Sequence, residues 1–367
     1  MGLRKNYKFM SDDQRTRFVN ALKTLKQKGV VENFAQIHAT YFYSGIHVTS
    51  HFLPWHREML YRFELELQKV DSSVTIPYWE SPLDNNTLDK YFWTRSDFLG
   101  PFNTTWQLGR ALGSGTLPTW TNVQDVQNRT TYDTYWWGTD ANGEDGLQYL
   151  IHNPPHQWVG GEMASTTSPR DPAFYLHHCW IDMLWALWQR RHPKAPFVPS
   201  PDWGTGVNRR KWGVYDPLLA WPDRTPADVL DHRNQLGYRY DTEYDLRAGD
   251  VLYLNDIQYS PSRQYALWFT SGRLSLNRPD GSGVWWSTKD PTPGTRCVMN
   301  GDGNLIISDN FGQPRWTSDT AGHDGARLWI QDPAPEIPED TGHMGIYDIY
   351  GNPLWPNPWS RPPPSVG

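Results

Sequence analysis

Cysteine is nearly absent: Cys179 and Cys297 are the only two, which leaves no disulfide framework and no thiolate metal site, so the fold must stand on packing. A basic excess is missing too. With a net charge of −6 and a pI near 6.0, the chain has an ordinary surface for which neither nucleic acid nor a membrane is the expected partner. No run reaches the ~18 consecutive apolar residues that would span a bilayer, and the opening MGLRKNYKFMSDD lacks the apolar stretch of a secretory leader. The expectation is a protein that is cytoplasmic, or exported without a recognisable signal peptide, with no transmembrane segment. Aromatics are what the sequence has in abundance. Its 21 Trp, 19 Tyr and 13 Phe suit a thick core and an aromatic-lined cleft. At 367 residues the chain exceeds what one core usually supports, so two units are expected.

The first part reads as helices. SDDQ at Ser11 to Gln14 is a capping box, and Phe18, Val19, Leu22 and Leu25 follow at helical spacing until Gly29. A second helix carries Phe34, Ile37, His38 and Tyr41 on one face. A short FLP loop then leads to a third, with Pro54 in its first turn and Trp55, Met59, Phe63, Leu67 and Val70 as the buried stripe. From Thr75 to Asn142 the composition predicts irregular, aromatic-packed loops. A fourth helix holds part of YLIHNPPHQW, with Pro154 and Pro155 against its regularity. A fifth begins at Asp171 as N-cap, with Pro172 where a missing N–H costs nothing, and ends before Pro193. Beyond Leu246 the pattern changes to short strands and turns in three related copies, whose tryptophans Trp286, Trp316 and Trp355 lie 30 and 39 residues apart. The third copy is lengthened by DPAPEIPED. The predicted fold is a mainly α domain over residues 1–245, a small all-β domain over 246–357 and a Pro-rich tail over 358–367.

Eight of the twelve histidines fall in two groups, 38, 47, 51 and 56, then 152, 156, 177 and 178. His152 and His156 are four apart, and on a helix they share a face with about 6 Å of rise between them, right for two ligands of one metal. The apolar fifth helix can aim one of His177 and His178 at the same point, because an imidazole is tolerated in a dry interior only when its nitrogens have partners. The first group likewise supplies three. Two histidine sets without cysteine or an acid at motif spacing point away from zinc hydrolases and carboxylate di-iron sites, and toward copper.

HVTSHFLPWHRE and LIHNPPHQWVGGEM…SPRDPAFYLHHCWIDMLWALWQRRHP closely resemble the two copper-binding signatures of bacterial tyrosinases, the type-3 dicopper phenol oxidases. The resemblance runs to Tyr238–Tyr240, which looks like the Tyr-x-Tyr close of that family's catalytic core. It implies that His38, His47 and His56 hold one copper ion and His152, His156 and His178 the other, with O2 as co-substrate. His177 would stand behind the ligands and His51 would be a bystander. Asp182, one turn beyond His178, is placed to orient an imidazole N–H or to pair with a nearby Arg. No cysteine lies near His38 or His47, so the cysteine–histidine thioether of plant and fungal members is not expected. By the same resemblance Glu144 and Asn153 would hold a water that deprotonates a monophenol, Gln157 stands where related enzymes often have Arg or Val, and the small Ser168 would leave the entrance open. Phenolic small molecules are the implied substrates, and a copper-delivery chaperone is a conceivable partner. The alternatives are a catechol or o-aminophenol oxidase of the same fold, a reversible O2 carrier, or a glycan-binding protein whose helical domain is a scaffold.

The C-terminal copies resemble mannose-binding monocot lectins, a β-prism of three sheets. Where those carry Gln-x-Asp-x-Asn-x-Val-x-Tyr, the middle copy reads Asn300, Asp302, Asn304, Ile306 and Ser308, and the first reads Phe269, Ser271, Arg273, Ser275 and Asn277. Only Asp302 and Asn304 survive as a weak carbohydrate site. The resemblance leaves two roles for this domain, a weak glycan-binding module or a cover for the copper site.

Overall fold

The side chain of Ser11 accepts from the Gln14 N–H while Gln14 reaches back to the Ser11 N–H, so helix α1 (Asp12–Gln27) starts where the capping box predicts. Gly29, at φ +72°, turns the chain into α2 (Val30–Tyr41). The computed structural model describes residues 2–355 except 85–92, 94, 204–209, 241, 243–244, 256, 261–264, 279, 331–343 and 350–351. The DPAPEIPED insertion and the Pro-rich tail therefore lie outside the described residues. No helix among those described is long and apolar enough to cross a membrane.

The chain divides into two units, Met1–Tyr240 and Asp241–Gly367. This division precedes the expected boundary at 245 because Asp245 already belongs to strand β5 (Asp245–Leu246), which pairs with β14 (Arg327–Ile330) of the second unit. In the first unit, α3 spans Phe52–Val70. The FLP segment is thus the first helical turn rather than a loop, since Pro54 fits where no N–H is required. The segment with two prolines is a π turn (Gln148–His152) running into α4 (Asn153–Val159), with Pro154 and Pro155 in the first turn. Helix α5 (Ala173–Arg191) is the centre of the unit. Every residue from Ala173 to Trp188 is buried, as expected for a helix apolar all round. Short helices at Trp120–Gln127 and Tyr132–Trp136 interrupt the irregular stretch between α3 and the π turn.

A buried polar network closes this unit. Strand β1 (Gly2–Arg4) runs parallel to β4 (Tyr238–Tyr240). Arg4 donates to Glu64 at 3.0 Å and to Asp182 at 3.3 Å, while Tyr238 donates to Asp182 at 2.6 Å and Tyr240 donates to the same oxygen. Arg57 donates to the other Asp182 oxygen and to the carbonyls of Val229 and Leu230. Burial alone would raise the Asp182 carboxyl, but Arg57 and Arg4 hold it below the usual carboxylate range.

The second unit is three four-stranded antiparallel sheets, in the orders β10 (Gly283–Trp286), β9 (Arg273–Asn277), β8 (Ala266–Thr270), β7 (Ile257–Tyr259); β13 (Pro314–Thr317), β12 (Leu305–Ser308), β11 (Arg296–Met299), β6 (Val251–Tyr253); and β16 (Pro353–Trp355), β15 (Met344–Tyr347), β14, β5. Their inner faces share one core of Leu, Ile, Met and aromatic residues. Trp285, Trp316 and Trp355 meet edge to face, with ring centroids 5.0–6.2 Å apart. The repeat partner is Trp285 and not Trp286, because the β9–β10 pairing shifts between Gly283 and Trp285 and sets Trp285 opposite Leu276 as Trp316 is set opposite Ile307.

Candidate metal centre

Helix α2 carries His38, the turn after Gly45 carries His47, and the second turn of α3 carries His56. Thr49 Oγ1 donates to the Gly45 carbonyl at 2.7 Å and braces that turn. One nitrogen from each of these imidazoles lies within 4.8 Å of the other two, and the Nε2 atoms of His38 and His47 are 3.3 Å apart. The π turn and α4 place His152 and His156 on one face, and α5 brings His178 to them. Their three Nε2 atoms are 3.1, 3.2 and 3.3 Å apart.

Four of the six ring protons lie away from these nitrogens. His156 Nδ1–H donates to the Met163 carbonyl at 2.7 Å and His38 Nδ1–H to the Thr166 carbonyl at 2.7 Å. His56 Nδ1–H donates to the Phe52 carbonyl at 2.8 Å and His152 Nδ1–H to Asn153 Oδ1 at 3.0 Å. An oxygen acceptor at Nδ1 puts the single proton of a neutral imidazole there, leaving a lone pair on Nε2. Several Nε2 lone pairs then face one another, an arrangement a cation relieves. Bonds of about 2 Å at tetrahedral angles separate ligand nitrogens by about 3.3 Å, the spacing of the second cluster. Burial pushes His38 down to about 3 and His156 to about 4, against the carbonyl bonds that raise them. Burial, reinforced by the neighbouring imidazoles, lowers His47, His56, His152 and His178 as well. All six are kept neutral, the form in which imidazole binds metal.

The two clusters adjoin. His56 and His178 stack with centroids 4.4 Å apart and planes 14° apart, and His47 lies 5.9 Å from His152. Phe174 touches both groups, 4.1 Å from His178 and 5.2 Å from His38, and Phe52 sits 4.9 Å from both His56 and His152. These rings keep water from the nitrogens. Above them a cavity of about 650 Å³ opens, walled by His38, His47, His152 and His156, with Phe42 and Met163 among its other walls.

His177 comes within 4.8 Å of His152 and His156, but its Nε2–H donates to the His152 carbonyl at 2.9 Å, so it braces the π turn from behind. His51 stands apart, its Nε2–H donating to the Gly213 carbonyl. Asp182 does not orient an imidazole. Its two oxygens are taken by Arg57 on one side and by Arg4, Tyr238 and Tyr240 on the other. Glu144 and Asn153 lie in different surroundings. Asn153 lines the cavity, but its Oδ1 is committed to His152. Glu144 is exposed and absent from the cavity walls, on a loop fixed by Asp140, which accepts the Glu144 N–H at 2.7 Å, and by Asp145, which accepts from Thr139. Gln157 is exposed at the cavity edge, whereas Ser168 is buried in its wall and not at an entrance. In the second unit, Asn304 Oδ1 accepts from Thr317, Ser318 and the Thr320 N–H, and Asp302 Oδ1 accepts the Asn304 N–H. These bonds hold a turn. Phe174 and the carbonyls of Met163 and Thr166 are functional features that sequence reasoning missed. The Gly160–Gly161 pair was the one sign of the sharp turn that delivers them.

A helical frame enclosing two adjoining all-histidine clusters defines a metal-binding protein. The comparisons agree. Residues 28–111 and 95–191 match the family model described as the common central domain of tyrosinase. The chain is 36% identical over 272 residues to a tyrosinase of Streptomyces antibioticus, covering 63% of this chain and 97% of that protein. It is 30% identical over 316 residues to a grixazone synthase of Streptomyces griseus, covering 65% and 99%. A monocot mannose-binding lectin structure from Gastrodia elata is 22% identical with a TM-score of 0.24, covering 30% of this chain and 93% of that one, a likeness too slight to bear on what the second unit does. The chain belongs to the tyrosinase family, in which copper is the metal, and its histidine clusters fit a metal site.

Proposed function

We propose that the chain is a copper-dependent phenol oxidase that takes monophenols to o-diphenols and o-diphenols to o-quinones with O2. One copper ion is assigned to His38, His47 and His56 and the second to His152, His156 and His178. The observation that carries this is the inward turn of imidazole nitrogens in two adjoining clusters beneath one cavity. When bound, the metal pair supplies the redox chemistry that reduces O2. The chain's own residues do the rest. Carbonyls and Asn153 hold the ring protons at Nδ1, Phe52 and Phe174 exclude water, Phe42 and Met163 offer apolar walls to the substrate ring, and Gln157 meets its substituents at the rim.

A second reading, an oxidase restricted to o-diphenols or o-aminophenols, is favoured by one observation. The cavity walls among the described residues include no Asp or Glu, so no carboxylate there takes the proton of a monophenol. Copper loading with metal analysis, followed by assays on phenol, catechol and o-aminophenol, tests both. Two copper equivalents and turnover of all three support the first reading. Turnover of the last two alone favours the second, and fewer than two equivalents overturns both.

A further inference from the structure

One loop, Gly161–Arg170, reaches both clusters. From it the Met163 carbonyl fixes His156 and the Thr166 carbonyl fixes His38, each at 2.7 Å. The remaining fixed tautomers have local sources, α3's own Phe52 carbonyl for His56 and the adjacent Asn153 for His152. The loop is stitched at its start, where Gly160 and Gly161 have φ of +68° and +55° and the Glu162 N–H donates to the Leu108 carbonyl at 2.9 Å. A Cβ on Gly161 would lie 2.2 Å from that carbonyl oxygen. Just beyond its end Asp171 receives two bonds of 2.6 Å from Arg110. Between these anchors the loop is closed by Glu162. Its Oε1 pairs with Arg170 Nη1 at 2.7 Å and its Oε2 accepts from Thr167 Oγ1 at 2.8 Å, while Ser165 Oγ donates to the Glu162 carbonyl at 2.9 Å.

We propose that Glu162 and Arg170 are positioning residues, a clasp that sets the tautomer of one imidazole in each cluster and so ties the metal affinities of the two sites together. This rests on the reading of the six histidines as copper ligands. The Glu162 and Arg170 side chains are 18% and 38% exposed, and a pair of that exposure contributes little to global stability. Its effect is geometric. The clasp keeps two carbonyls aimed at two Nδ1–H groups, and groups that orient metal-binding histidines are typically worth about 10- to 100-fold in metal affinity.

The test uses Glu162→Gln, Arg170→Met, the milder Thr167→Val, and the reversed pair Glu162→Arg with Arg170→Glu. Competition titration of the full chain against a copper chelator measures each equivalent, histidine-ring NMR of the metal-free chain follows the Nδ1–H protons of His38 and His156, and thermal melting reports folding. In Glu162→Gln and Arg170→Met both equivalents should weaken together by about tenfold or more, with faster exchange of both ring protons and a nearly unchanged melting temperature. Thr167→Val should give a smaller loss, and the reversed pair should restore part of the affinity. Affinities within about twofold of the parent, or a loss at one site alone, overturn the clasp. If the parent chain binds no copper the functional reading fails, and the ring protons still decide the clasp: unchanged exchange in the variants refutes it.

Discussion

The two histidine clusters have the same number of ligands and nearly the same burial, yet they are not assembled alike. In the second, three Nε2 atoms lie within 3.3 Å of one another, whereas in the first only His38 and His47 come that close. The origin of the ligands accounts for this. His152 and His156 stand four residues apart on one continuous helical stretch, so the backbone sets most of the second cluster before any tertiary contact forms. The first draws on α2, a turn and α3, and its convergence depends on how those segments pack. A site whose ligands share an element is preorganised by local geometry, while one gathered from three segments is only as well set as the packing around it.

The largest effect should come from breaking either cluster. His56→Ala and His178→Ala should each lower phenol and catechol oxidation on the order of a thousandfold, and the double variant should be no worse than either single one, because members of a unit are not additive. A double variant much slower than both would show the clusters working separately. Next is the frame that fixes α3 against α5. Asp182→Ala leaves Arg57 and Arg4 buried without their shared carboxylate and should cost about 3–5 kcal/mol in denaturant unfolding. A loss below about 1 kcal/mol would mean the helices are set by packing alone. Smaller is the difference between the clusters themselves. His47→Ala should keep one copper at the affinity of the tighter parental site, whereas His156→Ala should keep one held about tenfold more weakly, and equal affinities would erase the contrast. The smallest effect is at Glu144. A general base there would be worth about 10²-fold or more, so the exposed position predicts that Glu144→Gln changes the phenol-to-catechol rate ratio by less than about twofold. A selective collapse of the phenol rate would restore it as the base.

Much of the centre was legible because its chemistry is carried by one residue type at telling spacings. His152 and His156, the adjacent pair on an apolar helix and the run from His38 to His56 stand out because they gather eight of the twelve histidines into two groups. Helices α1 and α2 were equally clear, since a capping box and a regular apolar stripe are local signals. What escaped was non-local or carried by the backbone. A carbonyl such as that of Thr166 leaves no trace in the identity of its residue. Asp182 looked like a partner for a histidine one turn away, but its actual partners come from positions 4, 57, 238 and 240, which no spacing rule connects. The offset between Trp285 and Trp286 arose from a bulge, which shifts register by one without marking the sequence.

The parallel pairing of Gly2–Arg4 with Tyr238–Tyr240 also orders events during synthesis. At about 5–20 residues per second, Arg4 leaves the ribosome many seconds before the tyrosines that will enclose it. This strand is therefore secured only by residues made much later, and until then a guanidinium destined for the interior must wait in water. Translation of the first unit has to be nearly finished before the frame around the histidines can lock.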